Sequence, residues 1–142
     1  MPYATHTEEV AASVATIWRL LVDKIENPGP YVPGVRSVDI LKRAADHVVR
    51  HMVTEQLDLT ERITRDARRL EVVFTLVDHP SYVGSVTNRI EPGRAGEANR
   101  LTFTIDWREF GGANSGGEHL QGVLRDAVRH TKALAEAEEP EL

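Results

Sequence analysis

Residues 101–134 read LTFTIDWREFGGANSGGEHLQGVLRDAVRHTKAL, and inside this stretch the spacing of apolar residues changes from that of a strand to that of a helix. Leu101, Phe103, Ile105 and Trp107 alternate with Thr102, Thr104, Asp106 and Arg108, as in a strand with one face in a core. After the glycine-rich run 111–117, Leu120, Val123, Leu124, Ala127, Val128, Thr131 and Leu134 form a broad stripe on a helix that reads to about Ala137. Ser115 and Glu118 have the spacing of a capping box at its start. At 1.5 Å per residue such a helix is roughly 30 Å long. A helix of that length with one wide apolar face needs a large apolar surface, and a sheet is what the rest of the chain offers. The acidic end, from Glu136 to Leu142, reads as frayed.

Upstream of residue 101 the chain supplies that sheet. Strand-like runs cover approximately Arg36–Arg43, His47–Thr54, Leu57–Arg65, Leu70–Val77 and Tyr82–Ile90, each bounded by a turn signal such as Glu55-Gln56, Asp78-His79-Pro80 or Glu91-Pro92-Gly93. Breaks this short make hairpins, so the strands form an antiparallel meander. Tyr3 to Ala11 reads as one more strand. Between it and the meander, Val14, Ile17, Trp18, Leu21 and Ile25 mark a helix with Ser13 as its N-cap, ended by Asn27-Pro28-Gly29-Pro30. The expectation is one α+β domain over residues 1–142: a seven-stranded curved antiparallel sheet wrapped around a long C-terminal helix, with a short helix after strand 1. A strongly curled sheet gripping a helix leaves space between them, and that space is the expected site for a small apolar molecule.

Composition bounds the rest. At 142 residues, 41% hydrophobic and 27% charged, the chain fits one globular domain. It has no cysteine, which excludes disulfides, thiolate metal sites and thiol catalysis and suits the cytosol. The start, Met1 to His6, lacks the basic and apolar regions of a signal peptide, and no apolar run reaches the roughly 20 residues that cross a bilayer. A net charge of -5, with scattered arginines, speaks against nucleic acid as a partner. Lys24, Lys42 and Lys132 are the only lysines, an arginine bias that points to a GC-rich, bacterial genome. A two-fold homodimer is open to the chain on base rates alone.

The segment from Ile17 to Pro28, with Trp18, Glu26-Asn27-Pro28 and then Tyr31-Val32-Pro33-Gly34, resembles the AtaL-like (DUF1857) subgroup of the SRPBCC superfamily. Thr60-Glu61-Arg62, Val86 to Ile90, and Leu101 to Thr104 with Trp107 are similar to that subgroup's later strands. The resemblance covers nearly the whole chain and implies the helix-grip fold of START domains, Bet v 1 and polyketide cyclases. The wider superfamily includes binders, carriers, cyclases, dehydratases and co-chaperone activators, so the fold does not fix the function. A lipocalin-like barrel would lack the helix after strand 1, and a nuclear-transport-factor-2-like cone would lack the long last helix.

Candidate site residues are polar or aromatic groups that share strand parity with apolar neighbours. Glu61 lies on the face defined by Leu57, Leu59 and Ile63, where it either faces the pocket or pairs with an arginine. His51 shares parity with Val49 and Val53; with a turn centred near Gln56 it stands opposite Glu61, about 5 Å away, as a general acid/base couple. A one-residue register slip would separate the two. Asn88, in parity with Tyr82, Val86 and Ile90, would fix a ligand oxygen or satisfy nearby backbone. Trp107, Phe103 and Phe74 offer flat walls or plain core, with Tyr82 and His6 as further lining. A metal held by His6, His51 and Glu61 is not demanded by any spacing. The run 111–117 lacks the ending of a phosphate loop and reads as a hinge and lid. With no nucleophile elbow and no cysteine, the chemistry expected is cofactor-free proton transfer on an aromatic or polyketide-like molecule, such as cyclisation or dehydration; the alternative is a non-catalytic binder or carrier.

Overall fold

Strand β1, Tyr3–Val10, runs into helix α1, Val14–Glu26, which Ser13 caps by accepting the Thr16 amide on its hydroxyl. Six strands follow: β2 Val35–Arg43, β3 Val48–Thr54, β4 Asp58–Asp66, β5 Glu71–Leu76, β6 Tyr82–Glu91 and β7 Asn99–Glu109. Helix α2, Gly117–Glu138, closes the chain. This is a computed structural model, and it describes residues 3–55, 57–110 and 117–139. The expected lid 111–117, save Gly117, and the Ser115–Glu118 capping contact lie outside the described residues.

All strand pairs are antiparallel, in the order β1-β7-β6-β5-β4-β3-β2. Strands β2 to β7 form the expected meander. The crossing made by α1 carries β1 to the far edge, where it pairs with β7 from Tyr3↔Asp106 to Val10↔Asn99. The inner face collects Ile63, Val72, Phe74, Ile90, Leu101, Phe103, Ile105 and Trp107, all buried. Against it pack Ile17, Leu20, Leu21 and Ile25 of α1 and Leu120, Leu124, Ala127 and Val128 of α2. Apolar area removed from water at roughly 25 cal/mol per Å² is what holds these layers together.

Residues 136–139 differ from the expected frayed tail, whose last part, 140–142, lies outside the described residues. Glu136 accepts the Ala11 amide at 2.8 Å, Glu139 accepts the Ser13 amide at 2.5 Å, and Glu138 pairs with Arg19 at 2.6 Å. The amides of Ala11 and Ser13 flank the start of α1, where backbone donors lack helical partners and favour negative charge. The acidic run thus seals the β1–α1 junction.

Candidate functional site

The β3–β4 hairpin decides what faces inward. The Thr54 amide donates to the Leu57 carbonyl at 2.8 Å, and the Leu57 amide donates to the Thr54 hydroxyl at 2.9 Å. Thr54 and Leu57 therefore face each other across a two-residue turn, whose centre falls between residues 55 and 56. That half-residue difference from a turn centred on Gln56 shifts the pairing by one. Glu61 stands opposite Arg50, and His51 stands opposite Thr60.

The expected His51–Glu61 couple is thereby corrected. Arg50, Met52 and Thr54 are the inward residues of β3, while Val49, His51 and Val53 face outward and are only partly covered. His51 contacts Asp58 on that outer side, Nε2 to Oδ1 at 2.6 Å. Both parities of β3 contain apolar residues, so hydrophobicity alone left the strand's facing open. Glu61 does face inward, 3% exposed, and its partner is the arginine that was the alternative reading: Arg50 donates to Glu61 Oε1 at 2.8 Å.

Arg50 has a second task. Its Nη1 donates to the carbonyls of Lys24 and Ile25 at 3.1 and 2.9 Å. These belong to the last turn of α1, whose carbonyls have no helical donors and must find others. One guanidinium thus ties β3, β4 and the end of α1 together.

Lys24 completes the cluster. It comes seven residues after Ile17 and three after Leu21, so it lies on the apolar stripe of α1 and is carried into the core, 5% exposed. Its ammonium donates to Asn88 Oδ1 on β6 and sits over two rings, 4.2 Å from the Phe103 centroid and 5.0 Å from that of Phe74. Burial, and then the nearby Arg50 charge, lower its pKa to about 7, with Glu61 acting the other way. Lys24 and Arg50 were not anticipated as site residues. The readable signals were a lysine at a stripe position and an arginine whose register partner is a carboxylate.

Asn88 is fully buried, and its Nδ2 makes no hydrogen bond to any described residue; the same holds for Arg50 Nε and Trp107 Nε1. All three atoms are donors. Trp107 stands opposite Gly84, whose φ of +134° and position suit only glycine, since a Cβ there would lie 2.1 Å from the Asp106 carbonyl oxygen. Tyr82 packs beside Trp107 with ring centroids 5.3 Å apart, and His79 lies 5.3 Å beyond Tyr82. Burial raises the Tyr82 pKa, helped by a hydrogen bond with Glu109.

Two openings reach this face between α2 and the β3–β4 and β5–β6 ends of the sheet. The larger, about 490 Å³, is walled by Leu57, Val77, Tyr82, Trp107 and Leu120, with the polar residues Asp58, Thr60, Asp78 and His79 also on its lining. The smaller, about 330 Å³, lies across Leu57 from it, against Val32, Met52, Thr54 and Val123, with the carboxylates Glu55 and Asp126 also on its lining. Both are in the size range of small-molecule sites. The space is divided and open-sided rather than one closed hollow, and Phe103, Phe74 and Asn88 lie deeper than either mouth. His6 does not line them: it faces the sheet–α2 seam, where its ring contacts Glu8 at 2.5 Å, and Glu8 also meets Arg129. Those two partners hold the Glu8 carboxyl below its usual pKa, His6 foremost. His6, His51 and Glu61 therefore point to three separate places, and no described His, Asp or Glu cluster could hold a metal.

Residues 2–137 match the family described as AtaL, acetylaranotin biosynthesis cluster protein L. No curated protein matches the chain. Among solved structures it is similar to the Zhui aromatase/cyclase from Streptomyces sp. R1128, with 20% identity over 94% of this chain and 93% of that one and a TM-score of 0.78. It is also similar to the protein XoxI from Bacillus cereus, at 14% identity over 99% and 100% of the two chains and a TM-score of 0.75. A START superfamily protein from Mycobacterium smegmatis matches at 15% identity over 95% and 94%, with a TM-score of 0.66. At these identities the likeness is one of fold, the helix-grip architecture. No described helix is long and apolar enough to cross a membrane.

Proposed function

The chain belongs to the AtaL family, and from that premise we propose that it binds a small, largely apolar molecule between α2 and the inner face of the sheet. The observation that carries this reading is the opening of about 490 Å³ beside Trp107, where aromatic and aliphatic side chains meet Asp58, Thr60, Asp78 and His79, with a buried indole N–H that has no partner among the described residues. An apolar wall with a few placed polar groups is the general form of a small-molecule site. The fold neighbours, one described as an aromatase/cyclase and one as a START superfamily protein, support an aromatic or polyketide-like ligand. Trp107, Tyr82 and Leu120 would form the contact surface, with Phe103, Phe74 and Asn88 behind it. Native mass spectrometry of freshly purified protein tests the reading: a co-purifying molecule of a few hundred daltons is expected. Protein that carries none, and takes up none from a panel of apolar aromatics, would remove it.

A second reading is cofactor-free acid/base chemistry on the bound molecule, such as cyclisation or dehydration. It is favoured by Lys24, whose amine exchanges a proton near neutrality because it is buried. In this reading Glu61, coupled to Arg50, tunes the site, and His51 takes no part. Turnover that survives Lys24→Met unchanged would leave binding as the whole function.

A further inference from the structure

The interior cluster has too many donors for its acceptors. Two cationic side chains, Lys24 and Arg50, face one carboxylate, Glu61, in a region where all three are at most 5% exposed. Asn88 Oδ1 is taken by Lys24, and both Glu61 and the carbonyls at the end of α1 are engaged by Arg50. What remains unpaired is Asn88 Nδ2 and Arg50 Nε, and further along the same sheet face Trp107 Nε1. A buried donor without an acceptor is destabilising, and a buried cation without a counter-charge is more so. No described acceptor answers these groups.

We propose that the cluster seats an acidic oxygen of the bound molecule, a carboxylate, phenolate or enolate, with Lys24 and Asn88 as its donors and Arg50 behind them. The ligand is then an apolar acid rather than a neutral hydrocarbon. The inference rests on the small-molecule reading given above. Access is from the smaller opening: Arg50 stands two residues before Met52 on the inner face of β3, and Met52 lines that opening together with Glu55 and Asp126. The two rings under the Lys24 ammonium keep water off it, and an anion placed there would be weakly screened.

Charge linkage gives a readout that needs no variant. Arg50 and Glu61 are the charged groups that act on Lys24, and burial keeps its pKa near 7 in the free protein. At pH 8 the amine is mostly neutral, and an incoming anion would draw a proton onto it. The experiment is calorimetric titration of 2-naphthoate and of its neutral counterpart 2-naphthamide at pH 8, each in two buffers of different ionisation enthalpy. Naphthoate should bind at least tenfold tighter than naphthamide and take up close to one proton per molecule, with almost none for naphthamide. In Lys24→Met both preference and proton uptake should vanish. Naphthamide binding as tightly as naphthoate, or naphthoate binding without proton uptake, would overturn the acidic-oxygen seat and leave the pocket reading standing. If neither compound binds, the pocket reading falls and takes this inference with it.

Discussion

Lys24 is an amine that folding makes harder to protonate, and stability should record it. Its pKa falls from 10.5 to about 7 on burial, so between those values the unfolded chain holds a proton that the folded chain lacks. Stability from this group therefore rises as pH increases from about 7 to about 10, and the full cost of burying the charge is present below pH 7. Urea unfolding at pH 7 and pH 9.5 should show the native protein gaining a few kcal/mol relative to Lys24→Met over that interval. Equal pH dependence in the two proteins would mean that the amine is not buried. Arg50 and Glu61 form the complementary case. Glu61→Gln leaves a buried guanidinium without its carboxylate and should cost about 3–5 kcal/mol, whereas Arg50→Met with Glu61→Leu should cost less than the sum of the single changes. A double-mutant cycle by chemical denaturation checks this; strict additivity would show that the two do not interact.

At the scale of elements, the sequence was readable where one periodicity dominated and ambiguous where two faces looked alike. β7 alternates without exception and its inward residues are as read, Leu101, Phe103, Ile105 and Trp107. β3 offers Val48 and Met52 on one face and Val49 and Val53 on the other, so its facing rests on the Thr54–Leu57 turn. A half-residue choice at that turn exchanged His51 for Arg50 opposite Glu61. Gly84 makes an independent test of how β6 and β7 fit. Gly84→Ala puts a methyl into the Asp106 carbonyl and should lower stability by roughly 3 kcal/mol with a changed Trp107 emission. A silent substitution, by thermal melting and fluorescence, would contradict the close approach. The acidic end of α2 behaves as a cap for the β1–α1 junction, a contact no local pattern announces because its partners are more than 100 residues apart. Ser13→Ala should cost about 1 kcal/mol by urea denaturation.

For the whole molecule, the order of elements implies a sheet that grips the long terminal helix on its inner face. One strand, one helix, six hairpin-linked strands and a long helix leave few ways to cover a seven-stranded sheet. The candidate site was legible in part: Glu61, Asn88, Phe103, Phe74 and Trp107 lie on the inner face, His6 shares that face but meets Glu8 at the α2 seam, and His51 is on the outer face against Asp58. Lys24 was hidden because a lysine on an amphipathic helix is usually solvated, and its burial depends on Asn88 and two rings contributed by other elements.

The central claim is that the opening beside Trp107 admits an apolar molecule. The chain has two tryptophans, so in Trp18→Phe the emission reports Trp107 alone. Titration of that protein with 2-naphthoate should give a saturable change in intensity, abolished by Leu120→Tyr, which crowds the opening from α2 without adding a tryptophan. An emission that does not respond, or a response untouched by Leu120→Tyr, would contradict the account.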